Sequence, residues 1–282
     1  MKNFIVRTIT GVLFVAAIVT CFLRAEAMIL LFALVTGLTI WEFTGLVNER
    51  EHITINRMIC TVAGVYFFFA MAGYNSGLTP ATVFIPYLVS IIYLLIAELY
   101  LKQPDPISDW AYTMMSQLYI ALPFSLLNIL AFRSDGYNIQ YSYLAPLAVF
   151  VFLWINDAGA YCVGSLLGRH KLFPRISPGK SWEGSIGGGL LVIGGMVLAW
   201  YLTDLYGYND LGLNAWQWAG LGLTVVVFGT WGDLVESLLK RTLGIKDSGH
   251  ILPGHGGMLD RFDSTLMAIP AAVVYLYTLT LI

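Results

Sequence analysis

The sequence predicts an all-α fold: a polytopic transmembrane helical bundle of about nine spans, N-terminus cytoplasmic and C-terminus outside. Three observations carry that prediction. Hydrophobic residues make up 58% of the 282 residues and charged residues 11%, against about 45–50% and about 25% in typical soluble domains. Mean hydropathy is +0.74. Apolar runs of helix-compatible length recur along the whole chain, where a span needs about 20 residues. These runs lack the polar–apolar alternation of a membrane barrel. A soluble globule could not hide so much apolar surface, and a disordered chain would not carry it.

In order, the runs lie at about Ile9–Leu23, Met28–Val47, Met58–Tyr74, Ala81–Leu101 and Trp110–Phe132. Four more follow at Tyr141–Ile155, Ser185–Leu202, Ala215–Gly232 and Ser264–Ile282. With nine spans and the N-terminus inside, only Arg24 and Arg133 of the 15 basic residues fall in outer segments. That bias supports both the count and the orientation. The first run, flanked by Lys2 and Arg7 and followed by Ala25-Glu26-Ala27, also has the layout of a cleavable signal. It is read here as the first span, because eight more follow.

The net charge of −2 and a pI near 6.1 exclude a generally basic nucleic-acid binder. Cys21, Cys60 and Cys162 are far apart in apolar stretches and form no metal spacing. Two stretches interrupt the apolar pattern, Asn156–Gly184 and Gly232–Ser264, both on the cytoplasmic side of this topology. They hold eight of the 15 bases and seven of the 17 acids. Long polar connectors and ionisable residues at the edges of spans mark functional sites.

On a helix continuing from the eighth span, Asp233, Ser237 and Lys240 share one face. Asp260, Asp263 and Ser264 share a face at the start of the ninth. Pro253 and glycines 249, 254, 256 and 257 break the helix between them, and such a return can aim backbone N–H groups at an anion. Two acidic helix ends joined by a basic, Gly-rich loop suggest a divalent metal and phosphate. Ser177-Pro178-Gly179-Lys180-Ser181 reads as a turn whose hydroxyls and ammonium suit a phosphate. Each element also has a plainer reading: topology signals for Lys240, Arg241 and Lys246, a helix cap for Asp260, close helix packing for Gly159, Gly164 and Gly168. Density in a chain otherwise poor in charge weighs against the plainer readings. No HExxH, P-loop or Rossmann pattern is present.

Ser237–Asp263, SLLKRTLGIKDSGHILPGHGGMLDRFD, resembles the signature of the phosphatidate cytidylyltransferases, the CDP-diacylglycerol synthases. The pattern S-x-x-K-R-x4-K-D-x-G-x2-L-P-x-H-G-G-x2-D-R-x-D is met at every fixed position. NDAGAY (Asn156–Tyr161) and SPGKSWEG (Ser177–Gly184) are also similar to family segments. Gly179 stands where a lysine is usual and Ser181 where a threonine is. The first 140 residues carry no motif. The resemblance implies one integral membrane domain, with residues 1–140 as anchoring helices and 141–282 as a catalytic half bearing cytoplasmic loops 156–184 and 233–263.

The reaction so implied is CTP plus phosphatidate giving CDP-diacylglycerol and pyrophosphate, with Mg²⁺ as cofactor and a monovalent cation such as K⁺ beside it. The resemblance places metal on Asp233 and Asp260, with Ser237, Lys240 and Asp263 in the polar site. Phosphoryl-type transfer runs mainly on positioning and electrostatics. Lys240, Arg241, Lys246 and Arg261 would accordingly neutralise triphosphate or lipid phosphate, Arg261 with a catalytic part. Lys180 and Ser181 would contact phosphate from the other loop, and Asp157, Asp247 and His255 complete the expected substrate contacts. The expected setting is a bacterial inner membrane with the site facing the cytoplasm, and a homodimer is compatible with it. A transporter would place charge near the midplane, often in two related halves. A CDP-alcohol transferase would show DGxxAR…GxxxDxxxD, which is absent. A CTP-using lipid kinase would release CDP instead of pyrophosphate.

Overall fold

The computed structural model describes residues 2–134, 138–207, 211–249, 251 and 256–281. Among these, eight helices are long and apolar enough to cross a membrane, and the shorter apolar helix Ile9–Phe22 precedes them. All nine expected spans are therefore helical, and the protein is an integral membrane bundle. Its chain contacts divide it into two units. The first comprises Met1–Tyr143 with Thr242–Phe262, and the second Leu144–Arg241 with Asp263–Ile282.

The first unit is built from α1 (Lys2–Phe22), α2 (Ala25–Val47), α3 (Arg57–Asn75), α4 (Ile85–Leu101), α5 (Pro106–Met115) and α6 (Leu122–Ala131). Local chemistry sets the helix ends. Asn56 accepts from the Ile59 amide and opens α3, while Asp105 accepts from the Ser108 amide ahead of Pro106 at the start of α5. The Ser108 hydroxyl and amide hold the Asp105 carboxyl below the usual carboxylate range. Lys102 closes α4 in the left-handed region at φ +52°. Between α5 and α6 the backbone makes a π-helical turn, Ser116–Ala121. Pro123 follows it, and widening the turn before a proline is one way to absorb its missing N–H and its clash with the carbonyl four residues back. Phe22, Phe32 and Phe124 pack fully buried, with Phe262 beside them at 1% exposure. Phe262 meets Phe32 at 6.2 Å and Phe124 at 5.4 Å in edge-on geometry, the preferred aromatic arrangement.

The second unit contains α7 (Leu144–Leu167), α8 (Trp182–Leu205), α9 (Ala215–Leu243) and the larger part of α10 (Leu259–Leu281). Helices α7 and α8 run antiparallel along a seam of glycines. A Cβ on Gly159 would lie 3.0 Å from the Gly188 Cα, and one on Gly184 3.1 Å from the Gly164 Cα. Small residues let helix backbones approach where lipid gives no hydrophobic driving force. Trp218 of α9 is fully buried edge-on to Phe152 at 6.3 Å.

Two stretches differ from the sequence expectation. Asn156–Leu167 continues α7 as helix, so Asp157 sits on a helix and only residues 168–181 leave helical structure. Ser177–Ser181 is not a turn but a strand, β4, paired antiparallel to β3 (Lys171–Phe173) with Lys171 opposite Ser181. A second short hairpin joins β1 (Phe132–Ser134) to β2 (Ile139–Tyr141). Glu183 fastens the β3–β4 hairpin by accepting from the amides of Arg169 and His170 and pairing with His170 Nδ1 at 2.5 Å. Short apolar runs announce helices, whereas five residues rich in Ser, Pro and Gly show too little period to announce a strand.

Gly188 tests the seam. Its absent Cβ would sit 2.7 Å from the Asn156 carbonyl oxygen, whereas Gly194 on the same helix has nothing within 4 Å. Gly188→Ala should destabilise the protein by about 1–3 kcal/mol through overpacking. Gly194→Ala should be neutral or stabilising by up to about 1 kcal/mol. Thermal unfolding in detergent reads both.

Candidate active site

Within the second unit, side chains from three elements converge. Helix α9 carries past its apolar stretch, so Asp233, Glu236, Ser237 and Lys240 project from consecutive turns of one side. β4 contributes Lys180 and Ser181, and α10 contributes Asp263. Carboxylate oxygens of Asp233, Glu236 and Asp263 lie within 4.8 Å of one another. Glu236 is fully buried.

Three carboxylates this close repel one another, and burial makes the repulsion worse. Lysines answer it. Lys180 forms an ion pair with Asp233, and Lys240 Nζ lies 2.6 Å from Glu236 Oε2. Ser237 Oγ donates to Asp233 Oδ1 at 3.1 Å, and Asp263 Oδ1 accepts from the Ser264 amide at 2.5 Å. Gly232 lets α9 approach α10 here, since a Cβ on it would lie 2.7 Å from the Asp263 carbonyl oxygen. Arg241 Nε reaches the Ile176 carbonyl at 3.5 Å. An all-oxygen, strongly anionic donor set of this kind suits a hard divalent cation better than zinc or copper.

A cavity of about 480 Å³ opens beside the acids, lined by Asn156, Asp157, Lys180, Ser181, Thr230 and Asp233 among others. A second, almost wholly apolar cavity of about 570 Å³ lies between α8 and α9, with Trp182, Ile186, Leu190 and Leu234 in its walls. Ser185 and Thr230 line both, so the polar and apolar spaces adjoin.

The remaining signature residues belong to the first unit. Asp260 Oδ2 accepts from the Ser248 amide at 2.7 Å, the Ser248 hydroxyl at 2.9 Å and the Gly257 amide at 2.8 Å. Gly256 has φ +81°, and a Cβ there would meet the Asp260 carboxylate. Lys246 and Asp247 are exposed, and Arg261 is half-buried. His255 lies outside the described residues.

Helical spacing alone leaves Glu236 an i, i+4 surface partner of Lys240, yet it is the most buried acid of the cluster. Sequence reasoning missed Glu42 entirely. That carboxylate, 9% exposed on α2, accepts from the Ser248 hydroxyl at 2.5 Å and from the Met258 and Leu259 amides at 2.9 and 3.0 Å. A usable signal was present, since an acid inside an apolar span is a site candidate by default.

The Glu236–Lys240 pair can be tested apart from any activity. Lys240→Met takes the lysine from a buried carboxylate and should cost about 3–5 kcal/mol. Glu236→Gln in the same chain should recover much of that loss. Denaturation of both variants in detergent decides, and equal stabilities for single and double variants would refute the coupling.

Residues 5–279 match the cytidylyltransferase family. The phosphatidate cytidylyltransferase of Staphylococcus aureus (strain COL) is 32% identical over 266 residues, covering 94% of this chain and 96% of that protein. That of Staphylococcus haemolyticus is 33% identical over 272 residues with the same coverage. The signature that the sequence displays thus sits inside a similarity running almost end to end, and the chain belongs to the cytidylyltransferase family.

Proposed function

We propose that this protein is a phosphatidate cytidylyltransferase. It joins CTP to phosphatidate, forming CDP-diacylglycerol and pyrophosphate for phospholipid synthesis. A phosphatidate oxygen, already anionic at neutral pH, attacks the α-phosphorus of CTP. The bond from that phosphorus to the bridging oxygen breaks, and pyrophosphate leaves with the electron pair. Little acid–base help is needed. The barrier lies in bringing two polyanions together and stabilising charge on the leaving group.

One observation carries the reading: three clustered carboxylates, two of them held by lysines, beside a polar cavity that adjoins an apolar one. Asp233, Glu236 and Asp263 are the residues to hold a divalent cation, Mg²⁺ by resemblance. When bound it would offset charge on the triphosphate oxygens. The resemblance adds Asp260, one turn before Asp263 on α10, and a monovalent cation such as K⁺. Lys180 and Lys240 then face the phosphates as well as the acids, and Arg241, Lys246 and Arg261 add positive charge. Ser181 caps α8 through the Gly184 amide, so its hydroxyl is positioned for a phosphate at that helix start. Ser237 orients Asp233, and Asp157, Asp247 and His255 are further substrate contacts.

The apolar cavity suits acyl chains, with the headgroup turned toward Ser185 and Thr230. CTP is cytosolic, and the basic residues favour the cytoplasmic side for these segments, so the site faces the cytoplasm of a bacterial inner membrane.

Purified protein in detergent–phosphatidate micelles with CTP and Mg²⁺ should release pyrophosphate and CDP-lipid in equal amounts. Asp263→Asn should lower kcat by about 10²–10³-fold with folding intact. CDP in place of pyrophosphate would identify a kinase, and no turnover by folded wild-type protein would reject the enzyme reading. Ile193→Trp, two turns along α8 from Ser185 in the apolar cavity, should raise KM for long-chain phosphatidate and leave a short-chain analogue nearly unchanged.

A further inference from the structure

We infer that Glu42, in a span outside every signature segment, is a positioning residue for this reaction, fixing Asp260 through Ser248. The inference rests on the reading of Asp260 as a metal- and phosphate-facing carboxylate, and it concerns residues of the first unit alone.

Helix α2 is apolar, and Glu42 lies well inside it. A carboxylate buried there costs several kcal/mol unless donors or cations meet it. No ion pair to Glu42 occurs among the described residues. Its partners among the described residues are neutral donors of the signature segment. The Met258 and Leu259 amides are orphan donors at the start of α10, where the helix dipole favours a negative charge. Glu42 caps α10 from another helix, a task usually done by a residue just before the helix.

The third donor is the Ser248 hydroxyl, which also lies 2.9 Å from Asp260 Oδ2. One hydroxyl carries one proton, and the contact with Glu42 Oε1 is the shorter at 2.5 Å. Ser248 is 2% exposed, and its own amide donates to Asp260 Oδ2. Asp260 therefore takes its orientation from a serine that Glu42 holds. The glycines give independent support. A Cβ on Gly249 or Gly257 would run into the Glu42 carboxylate, and one on Gly256 into that of Asp260. Two glycines of the signature are thus bare because a residue from outside it occupies their space.

Glu42→Gln keeps the shape and removes one acceptor, so an amide group must face a backbone N–H or the serine. Mn²⁺ binding to the purified protein, read by electron paramagnetic resonance without CTP or lipid, should weaken by about 10–100-fold. The Mg²⁺ concentration for half-maximal turnover should rise by a similar factor. Kcat should fall while KM for phosphatidate stays near wild type. Glu42→Asp, which keeps both acceptors, should recover part of both metal effects. A folded Glu42→Gln protein with wild-type Mn²⁺ affinity and kcat overturns the role. If that variant does not fold, Ser248→Ala decides: a matching Mn²⁺ shift supports the role and an unchanged affinity overturns it. Wild-type protein that binds Mn²⁺ yet releases no pyrophosphate overturns the reaction and this role with it.

Discussion

A carboxylate survives inside an apolar helical bundle only where a cation or a set of hydrogen-bond donors stands against it. Much of the polar architecture of this protein follows from that constraint. Its interior acids are met in two ways. Asp233 and Glu236 face lysines, with Lys240 only 2.6 Å from Glu236. Glu42 and Asp260 face N–H and O–H donors: four backbone amides and the single hydroxyl of Ser248. Each solution dictates neighbouring sequence. Lysine pairing needs α9 to continue beyond its apolar stretch, which it does as far as Leu243. Donor pairing needs backbone to close around the acids, which glycine permits and a Cβ would prevent.

The glycine usage therefore has two distinct physical causes. On α7 and α8, Gly159, Gly184 and Gly188 bring two helix axes together along one seam. In the return before α10, Gly249, Gly256 and Gly257 leave room for carboxylates, and Gly256 also takes up a positive φ. Sequence alone reads the first group as helix packing and the second as a helix break whose N–H groups can meet an anion; the positions of Glu42 and Asp260 show which carboxylates fill that space.

Much of the fold was legible because apolar run length is set by bilayer thickness and reads directly from the chain. All nine expected runs are helical. The ends were less legible. Asn156 and Asp157 looked like the start of a loop because they are polar, but α7 continues through them, and polarity within a span marks a cavity as readily as a terminus. β4 escaped because Ser177–Ser181 has turn composition, and its pairing to β3 depends on residues brought close by the chain's return. In the site, spacing placed Asp233, Ser237 and Lys240 on one face correctly. Spacing could not show that Glu236 turns inward with Asp233 toward Asp263, since a helix has no inside until its neighbours are placed. Glu42 lies 206 residues from Ser248, beyond the reach of any local pattern.

The two ways of holding an acid also differ in what they permit. A lysine ammonium on a flexible stem can leave a carboxylate and turn to a phosphate when another cation takes its place, with modest rearrangement. Backbone amides at a helix start cannot move without unwinding the helix. On the proposed function, the lysine-held acids, Asp233 and Glu236, are thus suited to exchange partners as metal and nucleotide arrive. The donor-held acids, Glu42 and Asp260, are suited to stay where they are. Catalysis by electrostatic positioning needs both, because charges that move to meet a substrate are effective only against a frame that does not. In this protein the exchangeable charges sit on α9 and β4 of the second unit, whereas within the first unit Glu42 and Asp260 are held by Ser248, Gly257, Met258 and Leu259.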